Sequence, residues 1–173
     1  MRETLLAVFT LFATAGFASV AYGGDDDGDG SNALRFTSTL SGAQEVPGVV
    51  TGTTGRFRIN FKRGLSEADF RLIVNDGTGI TQAHLHCARA GANGPVVVFL
   101  FGFIAGGVDV DGNLSEGTLT NADFLGADCT GTTGRPINNI ASLAFAARDG
   151  LIYVNVHSVA NPAGEIRGQL LEK

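Results

Sequence analysis

Short alternating segments separated by glycine-rich turns constrain this chain more than any other feature. In Gly55-Arg56-Phe57-Arg58-Ile59-Asn60-Phe61 an apolar side chain recurs at every second position. That period places Phe57, Ile59 and Phe61 on one face of a strand and the polar residues on the other. Residues 34–40, 68–74, 83–87, 151–157 and 164–171 read as further strands, and 96–103 as a continuously apolar, buried one. Turns are predicted at Asn75-Asp76-Gly77, at 109–112 and at 160–163, and all four prolines fall at turns or element starts.

The interval between Thr120 and Ala147 reads differently. Thr120 suits the N-cap of a short helical turn reaching Leu125, and apolar residues at 137, 140, 141, 144 and 147 have helical spacing. The expected fold is all-β, an antiparallel β-sandwich (immunoglobulin-like or superoxide-dismutase-like) with one or two short helices between Thr120 and Ala147. The hexamer Thr-Gly-Thr-Thr-Gly-Arg occurs at 51–56 and 130–135. Its flanks do not match, so it reads as two similar glycine-rich turns, without the lysine of a phosphate loop.

Residues 1–22 read as a secretory signal peptide, with an apolar run from Leu5 to Phe17 followed by small residues. An uncleaved anchor is the alternative. Residues 23–33 form an acidic Gly/Asp linker. Its Asp25-x-Asp27-x-Asp29-Gly30 resembles the start of a calcium loop, but Phe36 stands where such a loop needs glutamate. The folded domain is expected over 34–173, in a secreted or periplasmic protein with no membrane span after signal cleavage. The net charge of −5 and arginines spread singly along the chain argue against a nucleic-acid surface.

Cys87 and Cys129 are the two cysteines, and in an oxidising compartment a disulfide is the default. The alternative is a Cys87 thiolate bound to copper beside His86. Strand alternation opposes it, because Cys87 faces away from His84 and His86.

All three histidines fall in two strand-like stretches, Ala83-His84-Leu85-His86-Cys87 and Tyr153-Val154-Asn155-Val156-His157. His84 and His86 share a face; Val154 and Val156 form the apolar face of the second stretch, which leaves Tyr153, Asn155 and His157 opposite. If the strands are neighbours, three imidazoles converge and suit Cu(II) or Zn(II), with binding lost below about pH 6 as they protonate. Asn155 can orient a ligand from behind, but the preferred reading is a strand asparagine that satisfies a neighbouring loop. Glu165 and Arg167 lie two apart and are expected to form an ion pair that ties the Glu45 loop to the sheet. No serine sits in a nucleophile elbow, so a hydrolase is not expected.

Five segments taken together resemble the CHRD domain family, named for the repeated module of chordin. They are Leu40-Ser41-Gly42-Ala43-Gln44-Glu45-Val46-Pro47, Ala83-His84-Leu85-His86, Gly91-Ala92-Asn93-Gly94-Pro95-Val96-Val97-Val98, Tyr153-Val154-Asn155-Val156-His157 and Gly164-Glu165-Ile166-Arg167-Gly168-Gln169-Leu170. The likeness spans about 34–171 and departs at Gly48, where the family often has a second proline. It implies an exported β-sandwich module. The His-x-His strand and the later Val-x-Val-His-like strand also resemble the copper-binding part of Cu,Zn superoxide dismutases. That likeness implies His84, His86 and His157 as copper ligands and Arg167 as an anion guide. With three histidines in all, the dinuclear centre of that family is excluded.

The sequence therefore predicts an exported CHRD-type protein that binds one transition-metal ion, copper before zinc. The rivals are a metal-free extracellular module with a protein or polysaccharide partner, and a copper-only superoxide-dismutase-like enzyme.

Overall fold

The computed structural model describes residues 34–173. The signal peptide and the acidic linker expected over 1–33 lie outside the described residues. Eight strands, β1 (Arg35–Ser41), β2 (Thr54–Phe61), β3 (Glu67–Cys87), β4 (Val96–Phe101), β5 (Val108–Thr120), β6 (Ile152–Ser158), β7 (Ile166–Gln169) and β8 (Leu171–Glu172), form one antiparallel sheet. Its order is β2-β1-β7-β6-β3-β4, with β5 on β3 and β8 on β1. A further β2–β3 pairing curls the sheet back on itself. The fold is all-β and sandwich-like, as expected.

The 21-residue β3 makes this closure possible. Its first half pairs with β2 and β5 and its second half with β6 and β4. Asn75-Asp76-Gly77, predicted to be a turn, is instead a bulged stretch inside β3, with register shifts around Gly77. Residues 109–112 also lie within a strand, β5, whose pairing with β3 runs through both stretches. Turn-forming residues bend a long strand here because each half has its own partner to satisfy its backbone.

The alternation of β2 is realised as predicted: Phe57, Ile59 and Phe61 are buried and Arg56 and Arg58 exposed. They join Phe36, Leu40, Leu72, Val74, Leu85, Val154 and Ile166 in the core. Helix α2 (Ile140–Arg148) covers part of it with Ile140, Leu143, Ala144, Ala146 and Ala147. It starts four residues after Pro136 because Asn139 caps it, its side chain accepting from the Ser142 N–H at 2.8 Å. Thr120 caps a single 3₁₀ turn, Asn121–Asp123.

The repeated hexamer takes two structures. Its first copy enters β2, with Thr54, Gly55 and Arg56 already paired to β1. Its second copy forms the helical turn α1 (Thr130–Thr133) directly after Cys129. Identical local propensities are overruled by what each copy is attached to. Cys129 is bonded to Cys87 with Cα atoms 6.0 Å apart, and both are fully buried. The disulfide therefore forms, and no thiolate is left for a metal.

Candidate metal site

The β3–β6 register sets His84 opposite Asn155 and His86 opposite Tyr153, with His157 opposite Gln82. The two histidine strands are hydrogen-bonded neighbours, so one face carries all three imidazoles. Each offers a nitrogen within 4.8 Å of the others. His84 Nδ1 and His157 Nε2 are 3.1 Å apart. Two nitrogens bound to one ion at about 2.0–2.1 Å sit roughly 3 Å from each other.

Backbone carbonyls fix which nitrogens are free. His86 Nδ1 donates to the Gly94 carbonyl at 2.9 Å and His157 Nδ1 to the Pro162 carbonyl at 3.0 Å. A carbonyl only accepts, so each Nδ1 carries the proton and each Nε2 lone pair points elsewhere. His157 Nε2 accepts from His84 Nδ1–H, and the Nε2 atoms of His84 and His86 are buried with no partner. Buried imidazole nitrogens without partners cost stability unless something else engages them. A ligand nitrogen backed by a second hydrogen bond is the arrangement that orients metal-bound histidines.

Two rings wall the site. Phe99, on β4 opposite His84, meets the His84 ring edge-on at 4.4 Å between centroids. Tyr153 stacks on His86 at 4.8 Å with planes 12° apart. The Arg167 guanidinium lies 3.5 Å from the centroid of the same Tyr153 ring. Since β6 runs between β3 and β7, Arg167 and His86 flank Tyr153. The Gly94 N–H donates to Tyr153 Oη at 3.2 Å while its carbonyl holds His86. A Cβ at 94 would stand 2.0 Å from the Cys87 carbonyl oxygen, so only glycine lets this backbone come so close.

Burial holds all three imidazoles below their usual range. His84 is pushed down to about 3 by burial and by repulsion from His157 and His86. His86 falls to about 4 through burial, partly offset by its bond to Gly94 and reinforced by His157 and Arg167. Burial also lowers His157. At neutral pH all three are neutral, which is the ligating form. A depressed histidine stabilises the fold above its unfolded value and ceases to do so as pH falls through the folded one. Metal-free protein is thus expected to lose stability between pH 6.5 and about 4, on the order of 3 kcal/mol from His86 alone. Urea titrations at stepped pH measure this in a Glu45→Gln background, which removes a buried carboxyl that titrates with the opposite sign over the same range; a flat profile there would contradict the burial of these rings.

The expected Glu165–Arg167 ion pair is not made. Strand β7 begins at Ile166, so Glu165 belongs to the preceding bend and strand alternation does not set its direction. Its carboxylate accepts from Thr51 Oγ1, from Ser158 Oγ at 2.7 Å and from Asn161 Nδ2 at 2.5 Å. Burial pushes the Glu165 carboxyl up, but these bonds outweigh it and the net shift is downward. Arg167 is 2 % exposed. It donates to Asn93 Oδ1 at 3.0 Å and to the carbonyls of Arg89 and Ala92 at 3.2 and 2.7 Å. A guanidinium so enclosed cannot guide anions in from solvent, which removes the role implied by the superoxide dismutase likeness.

Asn155 does not touch a histidine through any hydrogen bond; its Nδ2 donates to Glu45 Oε2 at 3.4 Å. The Glu45 carboxyl is raised to about 7 by burial, against the pull of Arg167 and Asn155. It packs against Gly164, where φ is +149° and a Cβ would stand 2.6 Å from Glu45 Oε2. Glu45 therefore contributes most below its unfolded value of 4.5 and loses that contribution as pH rises through 7. Glu45→Gln is expected to match the parent near pH 4 and exceed it in thermal stability at pH 8; lower stability at pH 8 would contradict this.

The structure brings His84, His86 and His157 together and places Asn155, Glu165 and Arg167 in the adjoining buried network. Sequence reasoning missed Gly94, Pro162 and Asn93 as supports, and the stacking role of Tyr153. The signal for Tyr153 was present in its strand parity; those of the loop residues depend on how two loops fold over the sheet.

The CHRD domain profile matches residues 36–170, most of the chain. No curated protein and no solved structure gives a match.

Proposed function

We propose that this chain, which belongs to the CHRD domain family, is an exported module that holds one transition-metal ion on His84, His86 and His157. CHRD domains are extracellular modules, which agrees with the export expected from residues 1–22. The reading is carried by one observation: three neutral imidazoles converge within 4.8 Å, two of them oriented by backbone carbonyls. Copper is favoured over zinc, because an all-imidazole set suits both ions and intrinsic affinity leans toward copper. Ligation through His84 Nδ1 requires the other neutral tautomer of that ring, its proton moved to Nε2 and its hydrogen bond to His157 given up.

Burial also revises the expected acid limit. Surface imidazoles release metal below about pH 6, whereas these stay neutral to well below that value. Metal-free protein titrated with Cu(II) and with Zn(II) is expected to bind one equivalent, with the Cu(II) form showing coupling to several nitrogens by electron paramagnetic resonance. Binding is expected to persist at pH 5. Release by pH 6, or a spectrum without nitrogen coupling, would contradict this assignment.

A further inference from the structure

The arginines that are scattered along the sequence are gathered by strand pairing into one groove. Arg58 lies between Thr37 on β1 and Arg71 on β3, and Arg56 lies between Thr39 and Ile73. These residues, with Lys173, line an open groove of about 430 Å³ on the outer face of the sheet, a size typical of small-ligand clefts. Four cationic side chains line it and no aspartate or glutamate does, although the chain carries a net charge of −5. Arg58 stands directly opposite Arg71, an arrangement of like charges that costs stability in a sheet. Arg71 is partly compensated by Asn113 at 2.9 Å and Glu116 at 3.4 Å. The side chains of Arg56 and Arg58 are exposed and have no hydrogen-bonded or ion-paired partner among the described residues.

We propose that this groove binds a segment of anionic polysaccharide, bearing carboxylate or sulfate groups at intervals along a chain. Arginine positions whose backbones are about 5 Å apart across the sheet and 7 Å along it suit a ligand with repeating charges. Thr37 and Thr39 add hydroxyls beside them. A nucleic acid fits less well, because the groove offers no ring for base stacking: Phe57 is 2 % exposed and packs inward on Phe70. The groove is independent of the histidine site.

Electrophoresis of the full chain through gels containing alginate, dextran sulfate, neutral dextran or polyadenylate tests the proposal. Alginate and dextran sulfate are expected to retard the protein, and salt at about 0.5 M to abolish the effect. The exposed pair Arg56→Gln/Arg58→Gln is expected to weaken retardation roughly tenfold without lowering the melting temperature, while Arg89→Gln changes retardation less than about twofold. Equal retardation of the double variant and the parent would overturn the proposal. So would equal retardation in neutral dextran, or stronger retardation by polyadenylate than by either polysaccharide.

Discussion

Replacing Arg167 by methionine is expected to destabilise the protein by about 3–5 kcal/mol, the largest effect of any single side chain on the histidine face. The guanidinium is buried and donates to Asn93 Oδ1 and to two loop carbonyls. Its loss leaves those acceptors without donors, each costing on the order of 1–3 kcal/mol. It also removes the cation that opposes the upward shift of the Glu45 carboxyl and the partner stacked on Tyr153. Arg167→Lys keeps the charge but not the planar fork, so only part of the stability is expected to return. Urea denaturation at pH 7 gives the comparison. A loss below about 1 kcal/mol for the methionine variant would mean the 88–95 loop holds without its anchor.

Opening the Cys87–Cys129 bond is expected to cost a similar amount. The bond closes a separation of 42 residues, which in the chain-entropy model is worth about 4 kcal/mol. Cys129→Ser is expected to lower the urea midpoint accordingly while retaining metal binding wherever the variant is folded. Cys87 is adjacent to His86 but faces the core, so its sulfur takes no part in the histidine cluster. If Cys129→Ser altered the nitrogen coupling of bound Cu(II), the sulfur would be closer to the ion than the strand geometry permits.

Local periodicity was enough to read the strands around Phe57, Leu72 and Val154, and strand parity was enough to put His84, His86 and His157 on matching faces. Neither says which strands are neighbours; adjacency of β3 and β6 was a condition that only tertiary pairing could meet. The stretches at 75–77 and 109–112 misled because turn residues also make bulges when both flanks stay paired. Glu165 and Arg167 misled for a related reason. Parity holds only inside a strand, and one residue of offset at the start of β7 sends the carboxylate to Thr51 and Ser158 instead. The groove containing Arg56, Arg58 and Arg71 was invisible as a run of charge, since its members lie on different strands.

Equilibrium titration of metal-free protein with Cu(II), beside the variant His84→Ala/His86→Ala/His157→Ala, tests the metal assignment most directly. The account predicts one tightly held ion for the parent and none for the variant, both remaining folded by circular dichroism. The same stoichiometry and affinity in both proteins would contradict it.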